Sequence, residues 1–361
     1  MQLKIKTEEL KDLVGRAQKA TRIIPEILMT TFLQIEVKNK VLSLSGFDGM
    51  NYFKFMQKTE NTDSLFVLKA DIFFKIFAKT TSKEVILEDK DNYVLYKGNG
   101  QYKLDKEVDK STDENIIINF PDVKLTKSYK IKTSEFIKSM ERVLPGVSEV
   151  QIPIFLTGVL GRKDKLTAAT EVRGIQVATK LFKDDVLLSP EFIGIVQSFK
   201  EKEFSFGIVE KEGIEYCIAN CSDGYVIGAQ VLGLKDYPAK QLDEVFGISV
   251  DTQAKVKKAD LISVIDRFAI FADRIGGQGV EIAVNKNSLI LKKEEIGEEL
   301  ISLKDVKNFK PYSCKTDILV LKRLIEKADS EELIFIFGEE QFLMFQYENT
   351  KLLLSTTQEE Q

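Results

Sequence analysis

Hydrophobic and polar positions along the chain follow one frame that occurs six times. In each copy a short apolar stretch, typical of a strand, leads into Thr, Ser, Ala or Pro, then an acid, then apolar residues at helical spacing. The copies lie at 5–17, 68–80, 131–143, 188–200, 256–268 and 314–326, so their starts are 63, 63, 57, 68 and 58 residues apart. The near-constant spacing favours an internal repeat over a chance recurrence of strand–turn–helix segments.

Each copy predicts one helix followed by three strands. Residues such as Thr7, Thr133 and Thr316 can cap free N–H groups at the helix starts, and the acids complement the positive helix end. After the first helix, alternating apolar residues predict strands at 31–37, 41–46 and 50–57. The sequence therefore predicts an α+β fold built from six β-α-β-β-β units.

The units group in pairs along the chain. Units one and three are the most similar, as KIKTEELK at 4–11 and KIKTSEFI at 130–137 illustrate, which indicates tandem domains of two units each. We therefore predict three domains, at 1–125, 126–245 and 246–361.

Composition narrows the possible chemistry. The 361 residues are 43% hydrophobic and 30% charged with 7 prolines, which is typical of a folded globular chain. The absence of histidine excludes His-based triads, His general bases and most zinc sites. Cys217, Cys221 and Cys314 form no Cys-x-x-Cys pair, so we expect free thiols in a reducing compartment, no metal and no cofactor.

Charge is unevenly distributed. The formal net charge is −4, which disfavours a tight static nucleic-acid binder. The predicted helices nevertheless carry 16 Lys or Arg against 13 Asp or Glu, counted over 8–22, 71–83, 134–142, 190–202, 259–274 and 316–328. Seven of those acids lie at or near helix starts. The charged amino terminus and the lack of a long apolar stretch predict a cytoplasmic protein without a membrane span.

Several short motifs resemble one family. NFPD at 119–122 and Tyr237-Pro238 resemble segments that end the first two domains of the bacterial DNA polymerase III beta subunit, the DNA sliding clamp. LTAATEVRGIQVA at 166–178 is similar to that family's Ala-Thr-Asp-Gly-His-Arg-Leu segment, and Arg22 with Ile27-Leu28 to its Arg-Pro-Thr-Leu-Pro-Ile-Leu. The order and spacing of these motifs, together with six repeated units, extend the resemblance over the whole chain.

Two departures from the family are plain. The histidine of the Asp-Gly-His-Arg segment is lost, and the Met-Pro-Met-Arg-Leu end appears as Leu354-Ser355-Thr356-Thr357-Gln358. Both losses concern the partner-binding pocket rather than the ring. They indicate a divergent clamp, of a kind that a bacteriophage or another mobile element could encode.

The resemblance implies half of a ring, with helices inside and sheets outside. Six helices about 10 Å wide leave a hole near 9 Å, too narrow for a duplex roughly 20 Å across. Twelve helices leave a hole of about 28 Å, so the resemblance implies a head-to-tail homodimer that encircles duplex DNA and tethers DNA polymerase without catalysis of its own.

Basic residues on the predicted helices are candidates to face DNA phosphates, which carry no sequence information. The alternative for each of them is a solvated helix face. The candidates are Arg16, Lys19, Arg22, Lys75, Lys79, Lys138, Arg142, Lys200, Lys202, Arg267, Arg274, Lys322 and Arg323.

The resemblance further implies a pocket in which polymerase and clamp loader insert a linear peptide motif. Its wall would be formed by Leu156, Thr170, Val172, Arg173, Gly174, Ile175, Pro238, Leu242, Leu353, Leu354 and Ser355. The alternative, equally open for Leu156 and Ile175, is that they belong to the core of the second domain. Because the histidine and the Met-Pro-Met end are absent, we expect a preference for an altered motif.

Ring closure would join an edge strand of the first domain to an edge strand of the third domain of the other subunit. By resemblance, Tyr102 and Leu104 would face Phe271 across this interface, although all three could instead be intradomain core.

Two other function classes are to be weighed against a clamp. For an enzyme, the glycine-rich segments at 98–100 and 276–279 lack the strand-to-helix setting of a phosphate-binding loop, so turns explain them better. A repeat-built protein scaffold that does not encircle DNA remains the alternative function.

Overall fold

The computed structural model of the protein describes residues 2–106, 117–150, 152–231, 233–248, 252–272, 279–294, 296–337 and 342–356. The α-helices in these ranges are α1 (Thr7–Ala20), α2 (Ala70–Ala78), α3 (Thr133–Val143), α4 (Pro190–Gln197), α5 (Ala239–Phe246), α6 (Lys258–Ala269) and α7 (Ile318–Glu326).

The strands alternate with the helices along the chain. They are β1 (Gln2–Lys6), β2 (Phe32–Lys38), β3 (Val41–Phe47), β4 (Asn51–Lys58), β5 (Ser64–Lys69), β6 (Glu84–Asp89), β7 (Tyr93–Lys97), β8 (Gln101–Asp105), β9 (Tyr129–Lys132), β10 (Val159–Arg162), β11 (Lys165–Ala169), β12 (Arg173–Ala178), β13 (Val186–Leu188), β14 (Glu203–Lys211), β15 (Ile214–Asn220), β16 (Gly224–Ala229), β17 (Gln253–Lys257), β18 (Gly279–Asn285), β19 (Ser288–Lys293), β20 (Gly297–Ser302), β21 (Lys304–Lys307), β22 (Tyr312–Asp317), β23 (Glu332–Ile336), β24 (Phe342–Tyr347) and β25 (Thr350–Ser355).

The predicted sixfold frame is confirmed by this order. One strand precedes and three strands follow each of the six predicted helices, which are α1, α2, α3, α4, α6 and α7. For example, β1 leads into α1 and β2 to β4 follow it. Strand β21 and helix α5 lie outside the frame, and α5 stands where the sequence predicts the second domain boundary.

The helix starts differ from prediction at the threonines. Thr7 forms no cap on α1, because its Oγ1 donates to the carbonyl of Ser82 at 2.6 Å. Thr133 donates in the same way to the carbonyl of Glu201 at 2.6 Å. These threonines fasten a helix start to the link that follows the next unit's helix, whereas Asp317 caps α7 by accepting from two backbone amides.

Tertiary contacts divide the chain into two compact units, and unit 1 comprises Met1–Phe136 and Pro190–Gln230. Its antiparallel sheets have the strand orders β1-β6-β7-β8 and β5-β2-β3-β4-β16-β15-β14-β9. Helix α1 packs on β3 and β4 of the larger sheet. Its apolar face, with Leu10, Leu13 and Ala17, is completely buried there.

Unit 2 comprises Ile137–Ser189 and Val231–Gln361. Its sheets have the orders β13-β10-β11-β12-β25-β24-β23-β17-β21 and β20-β19-β18-β22. Helices α6 and α7 pack against each other, and Leu261, Ile265, Leu321 and Ile325 are fully buried. Each large sheet thus joins strands from two of the three segments predicted as domains, and the three-domain division stays a prediction.

One pairing joins the repeats in both large sheets. The third strand after α1, β4, pairs antiparallel with the third strand after α4, β16. The third strand after α3, β12, pairs in the same way with the third strand after α7, β25. The two remaining third strands, β8 and β20, are edge strands of the four-stranded sheets. Each therefore leaves one backbone edge without a neighbouring strand in the described part of the chain.

Candidate functional site

A capped turn between β11 and β12 of unit 2 organises the predicted peptide pocket. The Oγ1 of Thr170 accepts hydrogen bonds from the amides of Val172 at 3.2 Å and Arg173 at 3.1 Å. This bonding keeps the turn tight and leaves the Val172 side chain 48% exposed at its tip. The amide of Ser355 donates to the Val172 carbonyl at 2.9 Å, which brings the end of β25 to the same place.

The ladder between β12 and β25 unites most of the predicted wall. Arg173 lies opposite Leu354 and Gly174 lies opposite Leu353. A side chain at Gly174 would come within 3.2 Å of the Phe246 ring, so the glycine lets α5 lie close to the sheet. The remaining predicted wall residue on β12, Ile175, is only 1% exposed and belongs to the core.

Arg173 supports the pocket from inside. Its side chain is buried, and its guanidinium donates to the carbonyls of Pro145 and Val147, each at 3.0 Å. Burial lowers the pKa of Arg173 below its ordinary value, and nearby Arg323 adds to this effect. The guanidinium thus fixes the segment after α3 against β12.

A second group of predicted wall residues packs around Tyr237. Leu156 belongs to a buried cluster with Tyr237, and Leu242 packs against it half-buried. The Tyr237 hydroxyl donates to the Thr167 carbonyl at 3.2 Å, which ties this cluster to β11. Pro238 is half-buried beside it and accepts from the Leu242 amide. All predicted wall residues therefore lie in unit 2. Leu156, Ile175 and Leu354 belong to the core, whereas Val172 and Ser355 are exposed.

Sequence reasoning missed a group of exposed apolar residues elsewhere in unit 2. Val150, Ile152 and Ile154 are 66%, 84% and 45% exposed, all in the segment that leads to β10. The sequence feature that could have indicated them is the run from 150 to 154, in which three of the five residues are β-branched and apolar. Exposed aliphatic side chains in such number are typical of a binding surface.

Unit 1 contains a copy of the same turn. Asp48 Oδ1 accepts from the amides of Met50 at 2.8 Å and Asn51 at 2.6 Å, as Thr170 does in unit 2. Burial raises the pKa of Asp48, although the bonds from Asn51 and Met50 oppose that shift. Met50 is 43% exposed at the tip, so it corresponds to Val172 in both position and exposure.

The predicted DNA-facing residues of unit 1 are mostly exposed. Lys19, Lys79 and Lys202 are exposed on or next to α1, α2 and α4. Three others lie near carboxylates: Lys75 at 3.4 Å from Asp71, Lys200 at 2.7 Å from Asp12, and Arg22 at 3.8 Å from Glu191. Such surface pairs are weak, so these cations stay available to a phosphate.

In unit 2 the predicted cations are more often paired. Distances from nitrogen to carboxylate oxygen are 3.8 Å for Lys138–Glu348, 2.8 Å for Lys322–Asp266, 2.7 Å for Arg323–Glu149 and 2.7 Å for Arg267–Glu299. Arg274 lies outside the described residues.

Arg16 and Arg142 differ from the other candidates because each is only 6% exposed. The Arg16 guanidinium lies 3.0 Å from the Asp223 carboxylate and 4.3 Å from the centre of the Phe55 ring. The Arg142 guanidinium donates to Asp329 and Glu348, each at 2.6 Å. Since both charges are balanced inside the protein, these two arginines are left out of the DNA-facing set proposed below.

The predicted interface residues lie at or near the free edges described above. Tyr102 is 45% exposed on β8, whereas Leu104 on the same strand is buried. Phe271 is half-buried just after α6. Sequence reasoning missed its neighbour Ile270, which is 70% exposed, and Leu300 on β20, which is 63% exposed.

The thiols offer no reactive centre among the described residues. Cys217 and Cys314 are buried and Cys221 is half-buried, all without a disulfide. Burial raises the pKa of Cys314 to about 11 and that of Cys221 to about 12, which keeps both protonated at neutral pH. In the same ranges no cluster of His, Cys, Asp or Glu could hold a metal ion, and no helix is long and apolar enough to cross a membrane.

Comparison with known proteins gives matches only among solved structures, since no family model and no curated protein matches the chain. The DNA polymerase III beta chain of Streptococcus pneumoniae TIGR4 has a TM-score of 0.85 at 12% identity, covering 99% of this chain and 100% of that one. The DNA polymerase sliding clamp of Bacillus subtilis has a TM-score of 0.84 at 16% identity, covering 100% of both chains. The beta subunit of Thermotoga maritima has a TM-score of 0.82 at 15% identity, covering 99% and 100%.

These identities are low, while the coverage is nearly complete. The likeness therefore concerns the fold, over nearly the whole chain, and it confirms the fold that the repeats and short motifs predict. The chain has the sliding-clamp fold of the DNA polymerase III beta subunits.

Proposed function

We propose that the protein is a DNA sliding clamp, a ring of two copies that encircles duplex DNA and tethers a polymerase for processive replication. It acts in the cytoplasm as a binding protein, without catalytic residues or a cofactor of its own. The observation that carries the proposal is the pairing of third strands, which joins β4 to β16 and β12 to β25 and leaves β8 and β20 as free edges.

Head-to-tail pairing of two copies would use both free edges. β8 of one copy would pair with β20 of the other, and the same contact would form a second time, so the assembly closes. Exposed apolar residues near both edges support this contact, since Tyr102 lies on β8, Leu300 on β20 and Ile270 directly after α6. Their burial would add apolar area to the new backbone hydrogen bonds.

Inside such a ring the exposed cations of the helices would face DNA. Lys19, Lys79 and Lys202 are the foremost of these, and the weakly paired lysines and arginines join them when a phosphate displaces their carboxylates. Contacts of this kind do not distinguish base sequences, so the ring can slide.

The test is retention on circular DNA. We expect a dimer of about twice the 41.0 kDa chain mass in light scattering. Loaded on a nicked circle, it should survive a high-salt wash that removes it from short linear duplex, because linkage does not depend on counterion release. Cutting the circle should release it. Equal loss from both DNAs, or a chain that stays monomeric at high concentration, would favour the protein-binding scaffold instead.

The partner surface would lie around the turn at Thr170 in unit 2. We propose that polymerase and clamp loader bind there through an extended peptide with apolar anchors. Val172 is exposed at the turn and Leu353 is half-buried on β25. An apolar surface edged by the polar groups of Thr170 and Ser355 suits such a peptide.

Replacing Val172 by aspartate is expected to weaken peptide binding at least about tenfold, since it places an unpaired charge on an apolar contact surface. The measurement is calorimetry with a synthetic peptide from the carboxyl end of the polymerase encoded in the same genome. Ile175 is unsuitable for this test because it is buried, and a charge there would unfold the sheet.

Met50→Asp is the matched control, because Met50 occupies the same turn position in unit 1 with a similar exposure. Its affinity for the peptide should equal that of the wild type. Equal losses in both variants, or undiminished binding by Val172→Asp, would move the docking surface elsewhere.

A further inference from the structure

Arg142 fastens the turn between β24 and β25 to the end of α3. Besides the bonds to Asp329 and Glu348, its guanidinium donates to the Asn349 Oδ1 at 2.5 Å. It also lies over the ring of Tyr347, 5.6 Å from the ring centre. Tyr347, Glu348 and Asn349 are consecutive, so one buried cation organises the whole turn.

This turn also fixes β25 on β12. The Asn349 side-chain amide donates to the Ala178 carbonyl at 2.6 Å, and the backbone carbonyl of Asn349 accepts from the Ala178 amide at 2.8 Å. From there the ladder runs from Thr350 opposite Val177 to Leu354 opposite Arg173. The far end of this ladder is the proposed peptide surface, about 17 Å along the strand.

We propose that Arg142 is a positioning residue for the partner peptide, acting through the register of β25. A slip of one residue would turn every side chain of the strand to the opposite face of the sheet, which would exchange Leu353 with Leu354 beside the peptide. Arg142 itself does not contact the peptide. This inference rests on the proposed peptide surface. It gives Arg142, which the sequence analysis predicts to face DNA, an indirect role in shaping that surface.

Two acids and one lysine surround the Arg142 guanidinium among the described residues. Asp329 and Glu348 accept its hydrogen bonds, and Lys138 approaches the same carboxylates at 4.0 and 3.8 Å. Lys138 is exposed and can partly neutralise the acids after a loss of Arg142. A lysine at 142 retains the charge but lacks the planar fork that bonds several acceptors at once.

Arg16 provides the matched control in unit 1. It is the tenth residue of α1, as Arg142 is of α3, and it holds Asp223 in the turn before β16. Its Nη2 donates to the Asp223 carbonyl at 2.9 Å. Arg16→Met therefore loosens an equivalent turn in a unit that does not contain β25.

The experiment compares Arg142→Met, Arg142→Lys and Arg16→Met in the full chain. Calorimetry uses the synthetic polymerase peptide described above, at a temperature where circular dichroism shows every variant folded. We expect Arg142→Met to weaken binding about tenfold, Arg142→Lys to recover part of the loss, and Arg16→Met to bind within about twofold of the wild type.

Hydrogen exchange of the Ser355 amide gives an independent measurement, because this amide is bonded to Val172 at the far end of the ladder. Arg142→Met should exchange it faster, and Arg16→Met should not. Unchanged exchange and affinity in Arg142→Met would overturn the inference, as would equal effects of Arg16→Met. If the wild type binds no peptide, the proposed partner surface fails, while the exchange rates still decide whether Arg142 positions β25.

Discussion

Replacing Ile270 by aspartate is expected to convert the proposed dimer into single chains of 41.0 kDa. Ile270 follows α6 directly and is 70% exposed in the single chain, near the edge that β20 offers to a second copy. A carboxylate buried there without a partner would cost several kcal/mol at each of the two contacts, and about 3 kcal/mol already weakens association more than a hundredfold. Light scattering over a concentration series measures the change.

Ile214→Asp serves as the control for that variant. Ile214 is also an exposed isoleucine, 46% accessible at the start of β15, whose two edges are both paired. A charge at position 214 should leave the mass measured by light scattering unchanged. A dimer that persists in Ile270→Asp, or one that is lost equally in Ile214→Asp, would contradict closure through β8 and β20.

Replacing Arg16 by methionine is expected to lower the free energy of unfolding by about 3 kcal/mol, because it leaves the largely buried Asp223 carboxylate without its cation. Burial lowers the pKa of Arg16, and the Asp223 carboxylate opposes that shift. Urea unfolding followed by fluorescence of the tyrosines measures the loss.

Lys19→Met, on the same helix, gives the comparison for Arg16. Lys19 is exposed, and its replacement should change stability by no more than about 0.5 kcal/mol. If the two variants unfold at the same urea concentration, Arg16 is a surface residue in solution and becomes a candidate for DNA contact again.

Most of the fold could be predicted because the frame is repeated. A single strand–turn–helix pattern is ambiguous, but six at similar spacing predict the order of helices and strands correctly, apart from α5 and β21. The threonine caps were wrong because capping competes with other hydrogen bonds. Thr7 bonds to Ser82, a residue 75 positions away that no local pattern reveals.

The two buried arginines could have been recognised from the sequence. Position 16 follows Leu13 by three residues and precedes Ala17 by one, which places it on the apolar face of α1 rather than on the solvated one. Arg142 is placed likewise, beside Val143. A count of charges on a helix does not separate its faces, so it groups both arginines with the exposed lysines. Their carboxylate partners lie about 200 positions later in the chain, beyond any local pattern.

The free edges of β8 and β20 have a consequence for how the protein behaves while it is still a single chain. An open strand edge accepts any strand of suitable register, and a head-to-tail contact that misses closure by a few degrees continues into a filament. If two copies close as proposed above, freshly synthesised or opened chains can form either the closed ring or an open fibre. The measurement is turbidity during slow dilution of concentrated chains from urea. Chains with both edges intact should turn turbid, whereas Tyr102→Lys, which places a charge on the β8 edge, should stay clear.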